Sequence, residues 1–89
     1  MTTTMNQNHF YTGNALRAYL ETLNAVEYRV HTYDYFTGES SEDPVAQLFS
    51  IDDAVDYVVN NDANPYYLGL IGYEILVFNR TDYLESVIF

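Results

Sequence analysis

The stretch Val26-Glu27-Tyr28-Arg29-Val30-His31-Thr32-Tyr33-Asp34-Tyr35-Phe36 alternates with the two-residue period of a β-strand. In an extended chain Val26, Tyr28, Val30 and Thr32 share one side, while Arg29, His31, Tyr33 and Tyr35 share the other. β-branched and aromatic types dominate it, as a pleated surface prefers. Downstream, Thr37-Gly38-Glu39-Ser40-Ser41-Glu42-Asp43-Pro44 combines glycine, proline and three acids and reads as a loop. Val45 to Phe49 is short and apolar, which suits a returning hairpin strand. Upstream, Leu16, Tyr19, Leu20 and Leu23 fall at i, i+3, i+4, i+7 behind Thr12-Gly13-Asn14, a capped amphipathic helix that Asn24 ends.

A second helix follows the hairpin. Ser50 with Asp53 three residues on resembles a capping box, and Ile51, Ala54, Val55 and Val58 form the apolar stripe. Asn60-Asn61-Asp62-Ala63-Asn64-Pro65 ends it, because asparagine tolerates left-handed backbone and proline cannot continue a helix. Tyr66 to Phe78 is rich in β formers, and Gly69 and Gly72 suggest a bulge or two shorter strands. Asn79-Arg80-Thr81-Asp82 is a turn, and Tyr83 to Phe89 is a last strand. The expected fold is α+β: a mostly antiparallel four-stranded sheet with two helices, in the order α-β-β-α-β-β. Residues 12–89 form one domain, and the polar, aperiodic residues 1–11 form a flexible arm from which Phe10 and Tyr11 dock on the core.

Charge narrows the function. Thirteen acids face three arginines and no lysine, for a formal net charge of -10 on 89 residues. Acid-rich disordered segments lack aromatics, whereas this chain is 17% aromatic and 48% hydrophobic, enough to fold. There is no cysteine, so disulfides and thiolate metal sites are excluded. No run reaches the roughly 18 apolar residues of a membrane span. The first eight residues lack the basic-then-apolar pattern of a signal peptide. The expectation is a cytoplasmic protein, in the host cytoplasm if phage-encoded, that binds neither membranes nor nucleic acid directly, because phosphates demand basic residues.

Catalytic chemistry finds little support. His9 falls in the arm, and His31 and Asp34, three apart on a strand, point to opposite faces, so His31 reads as an exposed sheet histidine. Phosphate loops, nucleophile elbows and metalloprotease spacings are missing. Asp52, Asp53 and Asp56 could hold a hard cation. A solvated helix face, with Asp52 and Asp53 favoured by the helix dipole in the first turn, explains them better. Neither a cofactor nor enzymatic activity is expected.

The acids fall in groups: Asp34, Glu39, Glu42 and Asp43 around the first hairpin; Asp52, Asp53, Asp56 and Asp62 along the second helix; Glu74, Asp82 and Glu85 in the last hairpin. Crowded within one or two Debye lengths of about 8–10 Å, such groups repel one another and attract cationic grooves. In length, charge and segments such as Tyr33-Asp34-Tyr35-Phe36-Thr37-Gly38-Glu39 and Ser50-Ile51-Asp52-Asp53-Ala54, the chain resembles the small acidic anti-CRISPR and anti-restriction proteins of phages and mobile elements. That resemblance implies a stoichiometric inhibitor that mimics nucleic acid and evades host defence by occupying a CRISPR effector or restriction complex. Contact would run through Asp34, Glu39, Glu42, Asp43, Asp52, Asp53 and Asp56. The alternative is an acidic interaction module or subunit that uses an apolar sheet surface over Tyr66 to Phe78 to join a partner or a second copy. Acidity as adaptation to a saline cytoplasm is a third reading.

Overall fold

The computed structural model describes residues 8–61 and 71–89. In chain order the elements are β1 (Asn8–His9), α1 (Gly13–Leu20), β2 (Glu27–Asp34), β3 (Glu39–Ser40), β4 (Ala46–Leu48), α2 (Ile51–Asn60), β5 (Ile71–Asn79) and β6 (Asp82–Ile88). The class is α+β, but among the described residues the sheet has six strands rather than the four expected, and it is mixed, with β1–β6 parallel in an otherwise antiparallel set. Its order is β1-β6-β5-β2-β3, with β4 also on β2. The additions are short. Asn8 and His9, within the expected arm, pair in parallel with Val87 and Ile88 of β6. Glu39 and Ser40, within the expected loop, pair with Asp34 and Tyr33.

The long pairing is β2 with β5, in register from Glu27↔Phe78 to Asp34↔Ile71. Directly opposed residues share a face, so Tyr28, Val30, Tyr73, Ile75, Val77 and Val87 line up on one side of the sheet. Both helices cover that side: Leu16 and Leu20 of α1 and Ala54, Val55 and Val58 of α2 close the same core cluster. Burial of each such Leu, Val or Ile contributes about 1.5–3 kcal/mol, which helices this short need, since isolated helices under about 12 residues are marginal. Phe10 packs against the core, whereas Tyr11 remains 79% exposed.

The helix ends follow local chemistry. Thr12 Oγ1 accepts from the Ala15 N–H at 3.1 Å, and Ser50 Oγ accepts from the Asp53 N–H at 3.1 Å. α1 closes with i→i+3 turns from Thr22 and Leu23, and α2 ends at Asn61, whose N–H donates to the Tyr57 carbonyl. Residues 62–70 lie outside the described structure, so the expectations on Asp62, Pro65, Gly69 and Tyr66–Leu70 do too, as do those on Met1–Gln7. The β5–β6 connection is tighter than the expected four-residue turn: Asn79 and Asp82 pair, leaving Arg80 and Thr81 as the loop, with φ of 60° at Arg80. The β5–β6 pairing shifts register between Val77 and Phe78, with Leu84 of β6 as the extra residue, and β5 runs unbroken through Gly72.

Gly72 has a different role. A Cβ there would meet the Tyr35 ring and, at 2.5 Å, the Phe89 carbonyl oxygen. Tyr35 crosses directly over this strand, and its hydroxyl donates to the Phe89 carbonyl.

Candidate functional site

β3 and β4 form one outer edge of the sheet, and the hairpin acids lie on it. The strand returning along β2 is broken in the middle. Ser41 N–H donates to Thr32 O at 2.9 Å and Val45 N–H to Val30 O at 2.7 Å, and residues 42–44 leave the ladder between them. Pro44 has no N–H to give the ladder. Ser41 Oγ donates to Asp43 O at 2.9 Å and accepts from Thr32 N–H at 3.2 Å, tethering the excursion to β2. This carries Glu42 and Asp43 into solvent, next to exposed Glu39. Asp34, at the end of β2, turns its carboxylate back to accept from the N–H groups of Phe36 at 2.8 Å and Thr37 at 3.3 Å.

α2 begins three residues after β4. Asp52 and Asp53 occupy its first turn, and Asp56 lies one turn on, all exposed. Arg17 of α1 reaches across to form an ion pair with Asp52, whose side chain is 76% exposed. Its guanidinium is raised above its ordinary value chiefly by the hydrogen bond to Asp52, with Asp56 and Glu21 adding to the effect. Solvent screens such a pair, so its stabilising effect is small.

From Tyr28, which faces Leu48, to Asp34, which faces Glu39, β2 advances six residues, or about 20 Å at 3.3–3.4 Å each. One nucleic-acid strand carries about six phosphates over that length, at about 3.4 Å per charge, against four carboxylates on this edge, Asp34, Glu39, Glu42 and Asp43. Among the described residues, six of the seven candidate carboxylates have no arginine partner: Asp34, Glu39, Glu42, Asp43, Asp53 and Asp56.

The opposite sheet face carries neither helix. There Arg29 donates through Nε to Glu27 Oε2 at 2.7 Å, and its guanidinium carbon lies 4.2 Å from the centre of the Phe78 ring. Gln47 Nε2 donates to the same Glu27 oxygen at 2.6 Å. Arg29 first, then Gln47, holds the Glu27 carboxyl below its usual value against the opposing effect of burial.

His31 corrects the expectation of an exposed histidine. It is 8% exposed, faces Glu74 across β2–β5, and donates through Nδ1 to Ser41 O at 2.9 Å. Asp34 lies on the other face, so the two do not form a pair. β5 also alters the apolar-edge alternative. Residues 73–78 lie between β2 and the C-terminal strand, with both strand edges hydrogen-bonded.

A feature absent from the sequence reading is an aromatic cleft of about 470 Å3 where the arm, the end of β2, the last turn of α2 and the start of β5 meet. His9, Tyr11, Tyr35, Tyr73 and Phe89 line it around Gly72. No charged carboxylate or arginine side chain does so among the described residues.

Among the described residues no cluster of acids and histidines is arranged to hold a metal ion, and no helix is long and apolar enough to cross a membrane. No protein-family model, curated protein or solved structure matches this chain.

Proposed function

We propose that this chain is a stoichiometric inhibitor whose acidic edge stands in for a nucleic-acid strand in the basic groove of a DNA- or RNA-binding host-defence complex, of the CRISPR-effector or restriction type. One observation carries the reading. Four acids, Asp34, Glu39, Glu42 and Asp43, gather on one sheet edge about 20 Å long, and three more, Asp52, Asp53 and Asp56, lie exposed on α2, which follows β4 in the chain. Such a surface accelerates association with a cationic groove and repels competing polyanions. The contact residues are Asp34, Glu39, Glu42, Asp43, Asp52, Asp53 and Asp56. Binding is noncovalent and requires no cofactor.

The test is a pull-down from the native host, washed at low and then high salt, with duplex DNA added as competitor. The proposal expects a nucleic-acid-binding protein to be retained at low salt and displaced by DNA or by about 1 M salt, where the Debye length is about 3 Å. Retention that neither salt nor DNA weakens would rule the mimicry out.

A second reading has its own observation. Phe36 is 85% exposed at one end of this edge and Phe49 is 66% exposed at the other. Exposed aromatics bracketing a charged strip suit an acidic interaction module whose affinity rests on apolar anchors, with charge serving solubility. In that case Phe36→Ala with Phe49→Ala abolishes retention at every salt concentration.

A further inference from the structure

We infer that His31 is the positioning residue that turns the acidic excursion out of the sheet: its Nδ1–H holds the Ser41 carbonyl, which the β2 ladder would otherwise keep. This deepens the proposed function and, for its consequence in binding, rests on it. Tyr33 pairs with Ser40 and Asp34 with Glu39, so Thr32 and Ser41 are the next opposed residues. In a regular antiparallel ladder such a pair exchanges both backbone hydrogen bonds or neither. Thr32 and Ser41 exchange one. Ser41 N–H donates to Thr32 O at 2.9 Å, but Thr32 N–H donates to Ser41 Oγ at 3.2 Å instead of to the Ser41 carbonyl. The carbonyl released in this way accepts from His31 Nδ1 at 2.9 Å. A carbonyl can only accept, so Nδ1 carries the proton.

Burial makes this exchange of partners consequential. A main-chain carbonyl withdrawn from the ladder needs another donor where solvent is scarce. His31 is 8% exposed, directly precedes Thr32, and lies on the sheet face that carries neither helix. Held by His31, the Ser41 carbonyl does not return to Thr32, and residues 42–44 leave β2. Ser41 Oγ completes the corner by donating to Asp43 O at 2.9 Å. Beside it, Ser40 Oγ donates to Glu74, which faces His31 across β2–β5. Glu42 and Asp43 therefore stand in solvent on a base that is hydrogen-bonded at Ser40 and Ser41. Carboxylates fixed in this way lose less entropy on meeting a cationic surface than carboxylates on a loose loop.

The test compares, in the full-length chain, His31→Leu, which removes the donor, with His31→Asn, whose side-chain amide keeps an N–H near the Nδ1 position. Neither changes the formal net charge of -10. NMR reads amide exchange at Ser41 and 15N relaxation at Glu42 and Asp43. The expected result in His31→Leu is exchange about two- to tenfold faster at Ser41, the range of one lost hydrogen bond. Glu42 and Asp43 should become more mobile, Ile75 and Val77 in β5 should be unchanged, and His31→Asn should restore the wild-type values. The imidazole 15N signals of the wild type need no variant: a proton on Nδ1 is expected, and a proton on Nε2 alone would overturn the assignment. So would unchanged Ser41 exchange in folded His31→Leu, or an Asn variant as loose as the Leu one; these results leave the acidic edge standing. Octa-arginine, titrated at about 0.1 M salt, serves as the cationic probe. Its affinity should fall by about twofold or more in His31→Leu, the lower bound for ordering one loose side chain, and recover in His31→Asn. An affinity lowered by Glu42→Gln with Asp43→Asn but indifferent to His31→Leu would overturn the part of His31 in binding. An affinity indifferent to those two carboxylates, beside faster Ser41 exchange in His31→Leu, would reject the edge and retain the positioning.

Discussion

Replacing Gly72 with alanine puts a methyl group where the Tyr35 ring lies. The new Cβ would meet Tyr35 Cζ at 2.5 Å and Phe89 O at 2.5 Å. The Phe89 oxygen cannot retreat easily, because Phe89 and Tyr73 exchange both backbone hydrogen bonds, at 2.8 and 3.1 Å. Tyr35 must therefore swing out and lose its hydrogen bond to Phe89. Overpacking of this kind costs about 1–3 kcal/mol and the lost hydrogen bond about 0.5–1.5 kcal/mol. The stiffer unfolded chain returns about 0.4–1 kcal/mol. The net destabilisation is about 2 kcal/mol, which lowers Tm by about 8–16 °C in a domain of this size. Thermal unfolding followed by circular dichroism reads the shift, and a double-mutant cycle with Tyr35→Ala assigns its cause. With the ring gone, Gly72→Ala should cost at least about 1 kcal/mol less. A single variant melting within about 2 °C of the wild type, or a cycle without coupling, would refute the placement of Tyr35 over Gly72 and with it the shape of the cleft.

Ser50→Ala removes the oxygen that caps α2 through the Asp53 N–H, and should lower stability by about 1 kcal/mol, read as the urea midpoint. Glu27→Gln should destabilise at pH 7, where the depressed carboxyl pKa contributes stability, and the gap from wild type should close as the pH falls through the folded-state value below the usual carboxylate range. Paired urea titrations at neutral and acid pH would show it; a gap that persists in acid would contradict the Arg29–Glu27 account. The Tyr19 hydroxyl contacts both Glu85 oxygens, at 2.8 and 2.7 Å, and that hydrogen bond, then burial, raises its phenol above 10. Burial raises Tyr28 and Tyr35 likewise. Stability from these phenols is present below the unfolded-state pKa and is lost as pH rises through the folded-state values. Alkaline absorbance titration should show a late-ionising group of tyrosines that shrinks in Tyr19→Phe.

The elements that could be read from the sequence are those written in local chemistry. Thr12 and Ser50 mark their helices because a cap needs only an oxygen and an N–H three residues away, and the stripes Leu16–Leu20 and Ala54–Val58 follow from helix geometry alone. The two faces of β2 were visible for the same reason. β1 and β3 were not, because Asn8–His9 and Glu39–Ser40 are polar pairs too short to show alternation, and only their partners, β6 and β2, make them strands. Gly72 looked like a bulge. Its real constraint is a ring that arrives from 37 positions earlier in the chain, which no local pattern reveals. The cleft was hidden likewise, since His9 meets Tyr35 only after β1 has joined β6. Among the site residues, the dipole preference of Asp52 and Asp53 could be read in advance. The Arg17–Asp52 pair could not, because it depends on how α1 crosses α2.

The most direct test of the acidic edge is the salt dependence of affinity for the captured partner, wild type against a variant carrying Glu39→Gln, Glu42→Gln, Asp43→Asn, Asp53→Asn and Asp56→Asn. Asp34 is spared because its carboxylate holds the hairpin turn. The slope of log Kd against log salt should be steep for the wild type and clearly shallower for the variant, whose melting profile stays cooperative. Equal slopes and equal affinities for the two folded proteins would show that these carboxylates do not form the contact.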